Sequence, residues 1–411
     1  MRTNRENIFT ACCIALTVTA MTFAIRAGIL GDLGTEFELT GRQLGNVNMM
    51  AFWGFPLATI LGGLLYNSVG PKLILMAASV CHIIGLVVTV YAMDYYTLLI
   101  STFFIGFANG CVEAGANPLV AFMHESDKST WLNRFHVWFP GGIVIGALIS
   151  FIMTNMGYSW QLQIMTMILP AGWYGFFILN AVFPDKLEKN VTTGGNLKAC
   201  FTSPLFLFMV LMMTFTATTE LGTQQWIEKI LGNAGAHPML VLALITGLMA
   251  VGRFYARPII RKYNPKGVLL GSAVVSTVAL LMMSQATGFM VYVSAILFAV
   301  GVMYFWPTMI GFVGEQIPKT GAIGMSIMGG AGMFATGIWQ PVIGSWLDDE
   351  KKVALASGLN NAEANLQAGQ AALDNLALFP LVLVIGFGLL YYFRKNDTYN
   401  RGFTIEDLKR R

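Results

Sequence analysis

Residues 73–93 pass without a single Asp, Glu, Lys or Arg. In hydrocarbon no water is present to bond the backbone. Such a run is stable only as a helix, whose N–H and C=O groups satisfy one another, or as a strand of a closed barrel. At about 1.5 Å rise per residue, about 20 residues cross the roughly 30 Å apolar core of a bilayer, and runs of that length select the helix. Read the same way, the chain contains twelve predicted helices, at 8–32, 43–66, 72–93, 96–122, 131–154, 161–183, 204–228, 238–260, 266–286, 288–313, 320–346 and 378–394. Charged residues are only 11% of the chain and hydrophobic ones 55%, whereas soluble domains carry roughly 25% charge. The expected fold class is an all-α membrane protein of twelve transmembrane helices in two pseudo-symmetric six-helix bundles. The polar, Gly-containing spacer after helix six divides them into an N-terminal bundle 1–184, a linker 185–203 and a C-terminal bundle 204–411.

Lys and Arg fix the orientation. With both termini in the cytosol, only Arg42, Lys229, Lys351 and Lys352 face outside and Arg26 lies within a helix near its external end, leaving 20 of the 25 basic residues on the cytosolic side. The positive-inside rule then predicts cytosolic termini. The net charge of +4 reflects this asymmetry, so no nucleic-acid partner is expected. The first apolar run has no small-residue cleavage site after it and is read as a retained helix rather than a signal peptide. None of the five cysteines falls in a predicted external loop or has metal-ligand spacing. Neither disulfides nor a metal or cofactor is expected. No G-x-x-x-x-G-K-[S/T] segment is present to bind a nucleotide phosphate.

Against this background, Glu113 in the fourth helix stands out. An ionisable side chain at membrane depth costs at least about 2.5–3.5 kcal/mol, so it marks either a structural ion pair or a functional site. Asn109, Glu113 and Asn117 follow an i, i+4, i+8 spacing and share one helical face. In the first helix, Arg26 either snorkels to the nearby external interface or faces the interior as a partner for Glu113 or for an anionic or hydroxylated substrate. Helix five opens with Asn133, His136 and Pro140 on one face. His136 is read either as a proton carrier or as a neutral hydrogen-bonding group. In helix seven, Glu220 and Gln224 lie one turn apart, followed by Gln225 and Trp226. Amides beside an indole suit a polyhydroxylated ligand, although a Trp at a helix end also belongs to the interfacial belt.

Two internal echoes support paired halves. The basic turn from Gly63 to Lys72 has a counterpart from Gly252 to Lys266, and Asn117-Pro118 in helix four has a counterpart in Trp306-Pro307 in helix ten. Both prolines are expected to kink their helices. Helix eleven carries Gly329, Gly330 and Gly332, then Gln340 and Pro341, with the glycines expected to allow close packing. The segment 347–377 is long for an external loop, and its Ala, Leu, Glu and Gln content predicts a helix lying on the membrane or covering the mouth. The tail 395–411 is polar and expected in the cytosol.

At these motifs the chain resembles a major facilitator superfamily transporter. Gly63 to Lys72 is similar to that superfamily's loop between helices two and three, with Asn67 and Ser68 where Asp and Arg are usual. More narrowly, it resembles the fucose:proton symporter family of sugar transporters in the fourth-helix motif Gly110-Cys-Val-Glu113-Ala-Gly-Ala-Asn117-Pro118 and the fifth-helix start Leu132-Asn133-Arg-Phe-His136. Gly252-Arg253-Phe254 and Tyr304-Phe-Trp-Pro307-Thr308 fit its eighth and tenth helices. The resemblance implies that Glu113 is the sugar-binding and protonatable carboxylate of a central cavity, and that His136 stands where a substrate-binding Gln is usual. That family's first helix carries an Asp thought to take the coupling proton; Ala27 stands there, next to Arg26. Such a departure leaves Glu113 to bind both proton and substrate and weakens the case for fucose itself.

The expected function is a secondary active transporter, not an enzyme, moving a small polar solute, a sugar or sugar derivative, by proton-coupled alternating access. Its partners would be the solute, protons and the lipid bilayer. The expected substrate-binding residues are Arg26, Asn109, Glu113, Asn117, Asn133, His136, Glu220, Gln224, Gln225, Trp226, Trp306 and Gln340, with Glu113 also coupling the proton. The alternatives are an exchanger or exporter of an organic anion or amphipathic solute using Arg26, and a non-transporting membrane sensor. A monomer in a bacterial inner membrane is expected.

Overall fold

The computed structural model describes residues 2–124, 131, 134–183 and 193–393. Within them the chain is helical and has no strand. In order come α1 (Arg2–Gly28), α2 (Leu30–Glu36), α3 (Gly41–Val90), α4 (Tyr95–Met123), α5 (Trp138–Asn155), α6 (Trp160–Met165), α7 (Ile168–Asn180), α8 (Thr193–Thr202) and α9 (Pro204–Ala217). A π-helical turn, Thr218–Gly222, leads to α10 (Thr223–Gln225) and α11 (Ile227–Leu231). Then follow α12 (Pro238–Phe254), α13 (Ala256–Gln285), α14 (Phe289–Val302), α15 (Phe305–Gln316), α16 (Gly321–Ala356) and α17 (Asn361–Phe393). Ten helical stretches among the described residues are long and apolar enough to cross a membrane. The shorter, apolar α12, with 17 residues, and the glycine-rich α16 complete the twelve expected crossings.

Two of those crossings are fused in α3, which hinges at Gly70 (φ 78°, ψ 161°). The same hinge recurs in α13 at Asn264 (φ 54°, ψ 162°). Each hinge residue precedes a proline and then a lysine: Pro71 and Lys72, Pro265 and Lys266. A residue before proline is pushed to extended ψ, and a positive φ there calls for Gly or, among the other residues, Asn. The weak sequence echo thus becomes a shared backbone device. Lys72 donates from Nζ to the carbonyls of Leu179 (2.8 Å) and Ala181 (3.0 Å) at the end of α7, a cation placed on a helix C-terminus.

α3 packs on α4 and α1 on α5, and α13 packs on α14 and α17. The two parts of the chain meet where α3 crosses α16 and where α5 crosses α12. The first contact is backbone to backbone: a Cβ on Gly344 would lie 1.9 Å from the Gly41 carbonyl oxygen, and one on Gly45 2.3 Å from the Pro341 Cα. Only glycine permits this approach.

Arg5 Nη1 donates to the Met123 carbonyl (3.5 Å), so α1 begins where α4 ends; this side is termed the N-terminal face and the opposite one the far face. On the far face, α16 and α17 continue past the apolar layer as a helical hairpin that turns at 357–360. The segment 347–377 is therefore helical as expected, but it extends two crossing helices instead of forming a separate surface element. Continuous Ala-rich sequence lets each helix run on uninterrupted. The prolines also part company. Pro118 lies within the continuous α4, whereas Pro307 lies in the first turn of α15, after a break at Met303–Tyr304. There its missing N–H costs nothing.

Candidate functional site

Along the interface between the two parts of the chain, polar side chains fall into separate groups. Nearest the N-terminal face is a row built on α4 and the start of the fifth crossing. Asn117 donates from Nδ2 to the Glu113 carboxylate (2.5 Å), as the i, i+4 spacing dictates, and its Oδ1 lies 2.9 Å from His136 Nε2. Because that oxygen only accepts, Nε2 carries the proton. Glu113 and Asn117 are half-buried and His136 is exposed. Asn133 lies outside the described residues.

One turn deeper, Asn109 leaves this row. It is fully buried, donating to Thr22 Oγ1 (3.0 Å) and accepting from His82 Nε2 (2.7 Å). His82 Nδ1 then accepts from the Tyr174 hydroxyl (2.8 Å). This closed network ties α1, α3, α4 and α7 together. His82 sits within the charge-free run 73–93, where a lone imidazole is the one sequence signal of this network absent from the expected site.

Arg26 does not snorkel. It is 5% exposed, donating from Nε to Asn48 Oδ1 (2.9 Å) and from Nη2 to Gln225 Oε1 (2.6 Å), with its guanidinium 5.1 Å from the Phe23 ring centroid. Gln225 Nε2 donates on to the Phe23 carbonyl (3.2 Å), and Asn48 Nδ2 to Gln340 Oε1 (3.3 Å). The expected Arg26–Glu113 pair is thus replaced by amide partners. Thr22 bonds Asn109, so Arg26 and Glu113 each stand four residues beyond that level, in opposite directions; they are separated by about 12 Å along the helix axes. Asn48, absent from the expected site, completes the group.

The face shared by Glu220 and Gln224 turns toward α12. Arg253 Nη2 lies 3.3 Å from Glu220 Oε1, an ion pair with its carboxylate buried and its guanidinium partly exposed, and Arg253 Nε donates to the Met303 carbonyl (2.9 Å). Gln224 Nε2 is 3.7 Å from Met249 Sδ. Glu220 is on the π turn, a distortion frequent at functional sites. Trp226 is fully buried, its indole N–H without a partner. Between the Arg26 group and the Glu113 row lies an apolar cluster of Phe23, Phe52, Phe55, Leu221 and Met333, against which Phe139 and Trp306 pack.

The sequence signature of the Major Facilitator Superfamily matches residues 11–340. The myo-inositol transporter 1 of Candida albicans is 21% identical over 194 residues, 45% of this chain and 35% of that protein, so the match spans about a third of the relative's length. Among solved structures, a D-xylose-proton symporter is similar with a TM-score of 0.76 at 14% identity, covering 93% of this chain and 98% of that one. The E. coli fucose:proton symporter is similar with a TM-score of 0.60 at 19% identity and the same coverage.

Proposed function

The chain belongs to the major facilitator superfamily and is a multi-pass membrane transporter, and we propose that it moves a sugar or sugar derivative by proton-coupled alternating access. The observation that carries this reading is the unequal state of the two faces. On the far face α3 and α16 touch through glycine backbones and Arg26 bonds Gln225 across the interface, while the Glu113–Asn117–His136 row remains half-exposed toward the N-terminal face. We read the molecule as closed at the far face and open at the N-terminal one. Rocking the bundles 1–184 and 204–411 would reverse this, and the Lys and Arg distribution supports a cytosolic N-terminal face.

In this reading Glu113 is the group that exchanges the proton. As a carboxylate it accepts from Asn117 and from sugar hydroxyls; once protonated it becomes a donor. Asn117 passes the change to His136 by reorienting its amide. Aromatic rings of the central cluster cover the apolar face of the sugar. The inositol, xylose and fucose carriers among its relatives support the sugar class. The test is uptake of a sugar and polyol panel into proteoliposomes under an imposed pH gradient. Glu113→Gln is expected to abolish gradient-driven accumulation while retaining substrate exchange. Undiminished accumulation by that variant rules the coupling role out.

A further inference from the structure

Arg26 is a buried cation surrounded by neutral partners. Among the described residues it forms no ion pair, and leaving a buried charge without a counter-ion costs several kcal/mol. Its always-protonated guanidinium also fixes the direction of every amide around it. Asn48 must turn its oxygen to Arg26 Nε, so its Nδ2 points to Gln340 Oε1. Gln340, itself 0% exposed, is left with a buried Nε2 that bonds to nothing. On the other side Gln225 gives its oxygen to Arg26 and its Nε2 to a carbonyl. The group therefore has a surplus of donors and an uncompensated positive charge. It is assembled from α1, α3, α10 and α16, across the interface at which the two parts of the chain separate.

We propose that Arg26 and Gln340 recognise the carboxylate of an acidic sugar, such as a hexuronate or aldonate, and that this anion is the transported substrate. The inference rests on the sugar-transport reading and narrows its substrate class. In the closed arrangement the void beside Arg26, lined by Thr22, Thr89 and Thr102 among others, is only about 20 Å³. That is room for about one water, not a sugar. When the far face opens, α10 and α16 withdraw and Arg26 loses Gln225. A substrate carboxylate then takes both guanidinium N–H groups in the bidentate geometry the fork favours. As the face closes, Gln340 Nε2 meets the same anion from the opposite side. The ring hydroxyls extend past the aromatic cluster toward Glu113 and Asn117. The substrate anion supplies the counter-charge that the protein lacks, so an acidic sugar stabilises closure more than a neutral one does.

The test is counterflow and gradient-driven uptake by the full-length chain in proteoliposomes, comparing D-glucuronate, D-galacturonate and D-gluconate with D-glucose and D-galactose at neutral pH. Acidic sugars are expected to outcompete neutral ones by at least about 100-fold, since a site with buried donors rejects a ligand that leaves them unpaired. Arg26→Gln should remove that preference while leaving residual neutral-sugar exchange, and Arg26→Lys should keep part of it. Gln340→Leu removes Nε2, and with it the oxygen that accepts from Asn48, and should weaken acidic substrates several-fold more than neutral ones; it carries the test if Arg26→Gln does not fold. Equal competition by neutral sugars, or loss of both classes alike in the variants, overturns the carboxylate site while leaving sugar transport standing. Transport of neither class overturns both readings.

Discussion

The far-face closure can be weakened at one carboxylate. Asp348 on α16 accepts from the backbone N–H groups of Gly41 (Oδ1, 2.9 Å) and Arg42 (Oδ2, 3.2 Å), the first two residues of α3. Gln43 N–H is satisfied by the Thr40 cap (3.2 Å). Asp348 therefore answers two of the four orphan donors at this helix start, from the other side of the interface, with its charge toward the positive end of the helix dipole. Charge-assisted hydrogen bonds contribute about 1.5–3 kcal/mol when buried. At this half-exposed position about 1 kcal/mol each is the better figure, so Asp348→Ala removes about 2 kcal/mol of closure and shifts the closed-to-open ratio about 30-fold. Asp348→Asn, which keeps one acceptor, should shift it about fivefold. Spin labels at the exposed positions Thr35 and Lys352, in a variant with the five cysteines replaced, read the separation across the far face by double electron–electron resonance. A longer-distance population should grow in the order wild type, Asn, Ala. An unchanged distribution in Asp348→Ala refutes the latch.

Closure should also respond to pH. Burial pushes the Glu228 carboxyl on α11 above its ordinary range, with Lys229 opposing and Asp32 adding to the shift, and burial likewise raises Asp32, opposed by Lys229 and reinforced by Glu36. These raised values belong to the closed arrangement, so ionisation penalises it: the closed fraction should fall as pH climbs from the ordinary carboxylate range through the raised values, and Glu228→Gln should flatten the response. The same spin-label distances check this, and closure that strengthens with rising pH contradicts it. In the N-terminal part, His82→Phe strips partners from the Asn109 oxygen and the Tyr174 hydroxyl, and should lower stability by about 2 kcal/mol. Thermal unfolding in lipid nanodiscs measures it, and an unshifted transition contradicts the network's structural weight.

How much of this was legible in sequence follows from the range of each interaction. The crossings are set by local composition, so the absence of charge in runs such as 73–93 was sufficient to find them. The Glu113–Asn117 bond is a property of one helix and was visible as a four-residue spacing. Arg26 was visible as an anomaly, but its partners were not. Asn48, Gln225 and Gln340 come from three other helices, and only the fold brings them to one level. Glu220 and Gln224 do share a face, yet spacing alone does not say which neighbour that face meets; packing turns it to Arg253 and Met249 on α12. The hinges at Gly70 and Asn264 were half-hidden for a further reason. Gly-Pro-Lys and Asn-Pro-Lys look only loosely alike as letters, but the backbone asks both for the same positive φ before proline.

In the proposed cycle the two principal groups divide the work by their exposure. In the cycle we propose, the Glu113 row, its carboxylate half-buried, is where protons exchange and solute is released. The Arg26 group is sealed at the closed end with its charge unmet. Helix geometry separates them by about 12 Å along the axes, and the aromatic cluster fills the space between. A cation that pairs with a carboxylate of its own protein would gain nothing from a substrate. Held by amides instead, Arg26 stays a poor partner for its own closed state and a strong one for an arriving anion. Amide partners orient the guanidinium without neutralising it, so in this reading a bound anion adds to the closed form a stabilisation that a neutral ligand does not. Placing a carboxylate at Asn48 should therefore be more damaging than deleting the amide: Asn48→Asp would neutralise Arg26 permanently and stabilise the far-face-closed form without substrate.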